Sequence, residues 1–345
     1  MAPKTKKIIY LIIGILVSAY LIYEVFGSVD FSKLMDILKH ANYYWLIPNI
    51  LLIIFAMYQR AYRWKFMLAP IKDVKFENLL AATCVGFMAN NVLPARLGEF
   101  VRAYSLSSQD KEITKSASLA TIFVERMIFD LVALLIIFGS ILVFSDSLQT
   151  KLETDLEFGS KIIYGSRFAI LVALGGIISM LIVAYKPSRV GQLMTKYLFF
   201  LPEKIKIGIT NIVEKFAEGL RFLTDIKAVL SVGLQTLLLW VFMGASNYFV
   251  FMTFGFDISF EASFVLLVVV SILIMAPSSP GFIGVYHYGV IVSLGLYGIS
   301  GEEAGACALV LHATQYIVIT LMGFYFLKKE HLSLKELEET AEQSI

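Results

Sequence analysis

Apolar stretches, each long enough to form a helix of about 20 residues, alternate with short polar segments along most of this chain. A helix of that length matches the roughly 30 Å hydrocarbon layer of a membrane. The predicted full spans are residues 8–26, 44–63, 116–144, 162–185, 228–254 and 304–327. The pattern therefore predicts an all-α polytopic membrane protein with six full spans.

Two further apolar segments are shorter and stop at proline or glycine. Residues 78–93 end at Pro94, and residues 262–276 end at a Pro- and Gly-rich cluster that starts with Pro277. Each is followed by a second short segment, a pattern typical of discontinuous helices that line a site. We predict that both form re-entrant or broken helical hairpins, which gives eight or more membrane segments in total.

Composition agrees with a membrane location. Of the 345 residues, 58% are hydrophobic and only 16% are charged, whereas about a quarter of the residues of a soluble domain are charged. The formal net charge of +2 is too small to indicate nucleic acid as a partner. Cys84 and Cys307 lie inside apolar runs and predict neither a disulfide framework nor a metal site.

The distribution of Lys and Arg predicts the orientation. Both chain ends, the loops that flank the first hairpin and the segment 186–227 are basic, whereas 146–157 and 298–305 are acidic. Basic loops face the cytoplasm, so both termini are predicted to be cytoplasmic in a multi-pass protein of the cytoplasmic (plasma) membrane. The span 8–26 lacks a clear cleavage site and is predicted to be retained. The loop before the first hairpin is counted as basic from Arg60, Arg63, Lys65, Lys72 and Lys75.

This orientation requires each hairpin to leave on the side from which it enters, the first from the cytoplasm and the second from outside. Residues 44–144 and 228–327 then share the order span, broken hairpin, span, with opposite topology. Such inverted repeats are typical of alternating-access carriers. Coincidental spacing, or hairpins that are really pairs of full spans, are the alternatives. We predict one integral membrane domain, 1–330, with a linker at 186–227, and a cytoplasmic tail, 331–345.

The first hairpin carries residues that suit an anionic ligand. Pro94 fits the first turn of the second half-helix, where free N–H groups favour an anion. Arg96, Glu99 and Arg102 follow at three-residue spacing and are predicted to share one face of that half-helix. Two guanidinium groups suit phosphate, although Glu99 could simply pair with an arginine. The candidate binding residues are Asn90, Asn91, Pro94, Arg96, Glu99 and Arg102.

The span 116–144 contains three ionisable residues at a depth inside the bilayer, where charged groups usually pair or face a polar interior. Arg126 and Asp130 are spaced i,i+4 and are predicted to pair on one helix. Glu125 is predicted to lie on another face. It could neutralise Arg96 in the empty site or bind a proton that couples transport, so Glu125 is also a candidate binding residue.

The second hairpin is uncharged and rich in proline and glycine. Glycine lets a ligand approach the backbone closely, and exposed N–H groups can form a nest for an anion. The alternatives are a tight loop between two spans and, for His312, a packed and hydrogen-bonded histidine. The candidate binding residues here and in the last span are Pro277, Ser279, Pro280, Gly281, Gly284, His287 and His312.

No motif for catalysis stands out. The sequence has no HExxH, no Walker loop, no CxxC pair, and no GxSxG in a strand-to-helix context. We expect no catalytic residue, no metal, no cofactor and no enzyme activity.

Three motifs follow one another along the chain: Asn91, Leu93, Pro94, Ala95, Arg96, Gly98, Glu99, Arg102, Ala103 and Tyr104; Glu125, Arg126 and Asp130; and Pro277, Ser279, Pro280, Gly281 and Gly284. Together, in this order, they resemble the lysylphosphatidylglycerol synthase transmembrane, or flippase-like, domain family, and the resemblance covers residues 8–327. It implies a fold like the flippase domain of the multiple peptide resistance factor and translocation of aminoacylated phospholipid, with some relatives linked to polyprenyl-phosphate-linked sugars.

The chain departs from the family pattern in two ways. His287 stands where relatives often carry Glu, so the family's substrate charge preference is not carried over to this chain. Full synthases add a soluble aminoacyl transferase domain, whereas 18 residues follow Leu327 here. We therefore do not expect this chain to make lysyl lipid by itself.

The leading hypothesis is a lipid transporter whose two hairpins hold an anionic headgroup. Its phosphate would contact Arg96 and the backbone of Gly281 and Gly284. The alternatives are a membrane-embedded transferase with Glu125 as base, and a subunit that presents lipid to a separate glycosyltransferase or aminoacyl transferase. The expected partners are membrane lipids, either phospholipid or polyprenyl phosphate. A second copy of the chain and a separate transferase are further candidates.

Overall fold

The computed structural model describes residues 3–27, 29–93, 96–144, 156–197, 202–275 and 278–337, and all regular structure in these residues is helical. The prediction of an all-α protein is thus confirmed. The α-helices are α1 Pro3–Phe26, α2 Phe31–His40, α3 Leu46–Leu68, α4 Phe76–Val92, α5 Gly98–Gln109, α6 Lys115–Val124, α7 Leu131–Phe144, α8 Leu156–Tyr185, α9 Pro187–Tyr197, α10 Glu203–Gly219, α11 Ile226–Thr253, α12 Glu261–Leu273, α13 Val285–Gly295 and α14 Gly301–Lys329.

Three continuous helical stretches in the described part of the chain are long and apolar enough to cross a membrane: Lys115–Val143, Ile226–Thr253 and Gly301–Lys329. Two bent pairs, α1 with α2 at 83° and α8 with α9 at 105°, raise the number to five. The remaining predicted span corresponds to α3, which carries Arg60 and Arg63 in its second half. Six full spans therefore remain a prediction.

The first predicted hairpin consists of α4 and α5, which pack against each other. Leu93 ends α4 in an extended conformation, as expected for a residue before proline. Lys72, before α4, donates to Glu112 and Asp110, after α5, at 2.9 and 3.0 Å. These hydrogen bonds raise the pKa of the Lys72 ammonium. They also show that the chain leaves this hairpin close to where it enters.

The second hairpin consists of α12 and α13, joined through the 3-10 turn Pro280–Phe282. Val265, near the start of α12, lies in one apolar cluster with Leu296 and Tyr297, which directly follow α13. This hairpin therefore also returns to its starting end. Two predicted tip residues, Pro94 of the first hairpin and Pro277 of the second, lie outside the described residues.

Helices α3 and α11 pack side by side and run antiparallel. Near the start of α3, the Asn42 N–H donates to the carbonyl of Thr253, at the end of α11, at 2.8 Å. Near the end of α3, Arg63 donates to Thr236, in the first half of α11, also at 2.8 Å. The first hairpin follows the end of α3 and the second follows the end of α11. The two hairpins consequently start at opposite ends of this helix pair.

Glycines allow α4 to approach its neighbours closely, as small residues do in membrane helix packing. A Cβ atom on Gly86 would lie 2.6 Å from the Cβ of Arg102 and 2.8 Å from the carbonyl oxygen of Gly98, both in α5. On the other side, a Cβ on Gly323 of α14 would lie 2.8 Å from the carbonyl oxygen of Cys84.

Residues after α14 turn back onto the first hairpin. Leu337 is fully buried in a cluster that includes Leu93 and Leu97, and the Tyr104 hydroxyl donates to Glu336 at 2.8 Å. The predicted tail, 331–345, therefore packs on the hairpin as far as residue 337. The predicted linker, 186–227, contains α9 and α10.

Candidate functional site

The tips of the two hairpins meet at Arg96. This residue lies between α4 and α5, in the left-handed backbone region with φ 54°. Its Nη1 donates to the carbonyl oxygen of Ile274 at 2.8 Å. Ile274 caps the C-terminus of α12, so the guanidinium satisfies one of the carbonyls that a helix end leaves open. Arg96 is exposed, and its guanidinium carbon lies 5.4 Å from the ring centroid of Phe282.

One prediction about Arg96 is wrong, and so is one of the two roles considered for Glu125. Helix α5 begins two residues after it, so Arg96 precedes the half-helix and does not share a helical face with Glu99 and Arg102. Glu125 does not neutralise Arg96 either, because that carboxylate binds other arginines.

Asparagine side chains form hydrogen bonds with polar groups near the tip of the first hairpin. The Oδ1 atom of Asn90 accepts from the Gly98 N–H, the first of α5, at 2.8 Å. The Nδ2 atom of Asn90 lies 3.5 Å from Glu99. Asn91 donates to Thr320 of α14 at 3.0 Å. The predicted set of free N–H groups at this helix end is therefore partly used by the protein itself.

A buried ionic cluster lies next to the first hairpin. The side chain of Arg63 is fully buried, and its Nη2 and Nη1 atoms each lie 2.8 Å from a carboxylate oxygen, of Glu125 and Asp130 respectively. Both oxygens of Glu125 also accept from Arg102 Nη1, at 3.0 and 3.1 Å. The Arg102 guanidinium lies 4.0 Å from the Trp64 ring centroid. The cluster thus joins α3, α5 and the span 115–143.

A π-helical turn, Glu125–Asp130, explains how two acids reach one arginine. In an α-helix, residues five apart point about 140° away from each other. The i→i+5 hydrogen bonds of a π-helix instead place them one turn apart on the same side. The prediction that Glu125 and Asp130 lie on different faces is therefore wrong. The predicted pair of Arg126 and Asp130 is confirmed, at 3.1 Å.

Arg60 and Arg63 are the site residues that sequence reasoning missed. Counting them as loop charges is wrong, because α3 continues to Leu68 and buries both. A signal was available: acids at membrane depth need a cation, and Glu125 and Asp130 together require more than the one supplied by Arg126.

In the second hairpin, histidines bind backbone groups. The Nε2 atom of His312 lies 2.7 Å from the carbonyl oxygen of Gly281, and the N–H of Gly284 donates to His287 Nδ1 at 3.3 Å. The two imidazole centroids are 4.8 Å apart. Gly281 and Gly284 have φ angles of 70° and 86°, which strongly favour glycine. His312 thus matches the packed, hydrogen-bonded alternative.

Helix α1 also contacts the second hairpin. The N–H of Ser279, just before Pro280, donates to the Ser18 hydroxyl at 3.0 Å. A Cβ on Gly14 would lie 2.7 Å from the carbonyl oxygen of Ser278. One N–H of the predicted nest is therefore already bound, by a helix that sequence analysis did not connect to the site.

The predicted site residues fall into separate groups. Arg96 and Asn91 lie where the hairpins meet, because a Cβ on Gly281 would be 3.3 Å from the Asn91 carbonyl oxygen. Arg102 and Glu125 belong to the ionic cluster, and His287 and His312 form the histidine pair. Within the described ranges, no three His, Cys, Asp or Glu side chains are placed to hold a metal ion.

Comparisons with known proteins find relatives along most of the chain. The family described as lysylphosphatidylglycerol synthase TM region matches residues 11–323. A UPF0104 membrane protein of Methanothermobacter thermautotrophicus is 25% identical, over 93% of this chain and 94% of that protein. Another, of Methanocaldococcus jannaschii, is 26% identical over 70% and 95%. A Haloferax volcanii protein named glycosyltransferase AglD is 24% identical over 99% of this chain, which spans 58% of that protein.

Proposed function

This chain belongs to the lysylphosphatidylglycerol synthase transmembrane-region family, and from that membership and the geometry of its hairpins we propose that it moves an anionic lipid between leaflets. The lipid is a phospholipid or a polyprenyl-phosphate-linked lipid, and the membrane is the cytoplasmic membrane, with both termini inside. Movement requires no cofactor and no catalysis by this chain.

The bond between Arg96 and Ile274 is the observation that carries this proposal. An exposed guanidinium is held there by a neutral carbonyl, and no carboxylate of the described residues lies within ion-pair distance of it. Bonds from a guanidinium to phosphate are charge-assisted and stronger than bonds to a neutral acceptor. A lipid phosphate that reaches the tip can therefore replace the Ile274 carbonyl as the acceptor for Arg96. Loss of the hydrogen bond between Arg96 and Ile274 would separate the two hairpin tips.

The arrangement of the hairpins supports alternating access. The two halves repeat the order long helix, short helix, short helix, long helix, and the hairpins start at opposite ends of the α3 and α11 pair. In an inverted repeat, each hairpin would close the site toward one side of the membrane. Release of the hydrogen bond between Arg96 and Ile274 would open the site toward one side of the membrane, while the hairpin that closes the other side stays packed.

Replacement of Arg96 by alanine is expected to slow lipid movement about tenfold or more, because a hydrogen bond to a charged group contributes about 1.5–3 kcal/mol. The measurement is the rate at which a fluorescent phosphatidylglycerol in reconstituted liposomes becomes accessible to a membrane-impermeant quencher. Arg96→Lys, which keeps the charge but loses the planar fork, should have an intermediate rate.

Arg221→Ala is the matched control, because Arg221 is exposed in a 3-10 turn outside both hairpins. Its rate should equal that of the unmodified protein. Equal rates with the protein and in empty liposomes would exclude transport of that lipid, whereas a normal rate in Arg96→Ala would exclude the role given to Arg96.

A second candidate function is presentation of lipid to a separate glycosyltransferase. It is favoured by the similarity to a relative named as a glycosyltransferase, in which the matched region makes up 58% of the length. A third, transfer chemistry with Glu125 as base, is disfavoured because both oxygens of Glu125 already accept from Arg102. Formation of lipid-linked product by the purified chain from a soluble donor would favour the third, and product formation only with a co-purified partner would favour the second.

A further inference from the structure

Arg60 is a buried cation without an anionic partner among the described residues. It lies on α3 with 8% of its surface exposed. Its Nη2 atom donates to the Met243 sulfur at 3.1 Å, and its guanidinium carbon lies 4.7 Å from the ring centroid of Phe87. A thioether is a weak acceptor. No carboxylate in the described part of the chain lies within ion-pair distance of this side chain.

Arg126 approaches the same aromatic ring. Its guanidinium carbon lies 5.2 Å from the Phe87 centroid, so both guanidinium groups lie close to one ring. Its Nη1 binds Asp130 at 3.1 Å, and its Nη2 lies 3.9 Å from Glu99. The Nε atom of Arg126, by contrast, is buried and has no hydrogen-bond partner.

The charges around this ring do not balance. Within the described residues, the ionic cluster and the groups around this ring together contain four guanidinium groups and three carboxylates, which leaves one positive charge in excess. An uncompensated charge at membrane depth is costly. The excess falls on Arg60, because the carboxylates bind the other three arginines. The four are Arg60, Arg63, Arg102 and Arg126, and the carboxylates are Glu99, Glu125 and Asp130.

We propose that Arg60 and Arg126, around the ring of Phe87, bind a phosphate group. Its oxygens would accept from Arg60 Nη2, in place of the Met243 sulfur, and from Arg126 Nε. Guanidinium forks suit phosphate geometry, and a bound anion removes the excess charge. A phosphate would enter from the side of Arg126 and Glu99, because their side chains are 33% and 25% exposed. The phosphate belongs either to a lipid headgroup or to free inorganic phosphate.

Anion binding is measured as the shift in unfolding temperature of the purified full-length chain in detergent at constant ionic strength. The two probes are sodium phosphate and dihexanoylphosphatidylglycerol, and dihexanoylglycerol is the control without a phosphate. If both probes raise the unfolding temperature, the site is open to free phosphate. If only the lipid raises it, the site binds a lipid headgroup. No shift with either probe contradicts the proposal.

Arg60→Met is the decisive variant. Its Kd for the active probe should rise at least about tenfold, because a hydrogen bond to a charged group is lost. Without a probe, this variant should unfold at a higher temperature than the unmodified protein, because the unbalanced buried charge is gone. Arg63→Met, matched in size and charge change, should unfold at a lower temperature because Glu125 and Asp130 each lose one of their two arginine partners.

Unchanged affinity in Arg60→Met, or a loss of stability like that of Arg63→Met, would show that Arg60 is a structural residue. Arg221→Ala, which changes an exposed residue outside both hairpins, should keep the affinity for the probe. This inference does not depend on transport, since binding is measured in detergent. A protein that binds phosphate at Arg60 but moves no lipid would refute the proposed function and leave this site standing.

Discussion

Replacing Arg63 by methionine is expected to destabilise the protein by about 3–5 kcal/mol, the usual cost of removing one partner from a buried ion pair. The side chain of Arg63 is fully buried between Glu125 and Asp130, at 2.8 Å from each. Methionine preserves much of the volume but leaves Asp130 with only Arg126 and Glu125 with only Arg102. The measurement is reversible unfolding in detergent micelles with increasing denaturant.

The matched control is Arg126→Met, which removes the same kind of charge from a side chain that is 33% exposed. Arg126→Met should lose less stability than Arg63→Met, because solvent screens a partly exposed ion pair. A further test combines Arg63→Met with Asp130→Asn, and because these two residues are paired, the double variant should lose less stability than the sum of the two single losses. Equal stability of Arg63→Met and the unmodified protein would mean that the ionic cluster is not the core of this region.

The second large effect is expected for Gly86→Ala, which should destabilise the first hairpin by about 1–3 kcal/mol through overpacking. The added methyl group would lie 2.6 Å from the Cβ of Arg102 and 2.8 Å from the carbonyl oxygen of Gly98. Neither atom belongs to a flexible chain end, so α4 and α5 must separate. Unfolding in detergent and hydrogen exchange of the α5 amides would measure the effect.

Gly233→Ala is the control for this prediction, because Gly233 also lies inside a helix, α11, but a Cβ there meets no atom of the described residues within 4 Å. It should be neutral or stabilising by up to about 1 kcal/mol, since alanine favours helix more than glycine. If both variants have the same stability, close packing of α4 on α5 does not hold the hairpin together.

The helices could be predicted from sequence because membrane thickness sets the length of an apolar run. The predicted spans 228–254 and 304–327 correspond to Ile226–Thr253 and Gly301–Lys329. The hairpin breaks could be predicted for a similarly local reason: Leu93 precedes a proline and Gly281 has a positive φ. These features depend on a few neighbouring residues, so a single sequence contains them.

The partners of the charged residues could not be predicted in the same way. Arg63 looks like a loop charge until Glu125 and Asp130, more than 60 positions later, are placed beside it. Arg96 looks like a helical residue until its positive φ shows that the turn extends past it. Long-range contacts decide both cases, and the spacing of residues along the chain carries little information about them.

The π-helical turn also changes how any scan along the span 115–143 has to be interpreted. A π turn holds one residue more than the α turn it replaces, so the face that points to the protein shifts by about 100° for everything after Asp130. A cysteine accessibility scan should therefore follow one helical phase before Glu125 and a second, displaced phase afterwards. A single periodic curve fitted through the whole span would assign lipid-facing and protein-facing residues of α7 to the wrong sides.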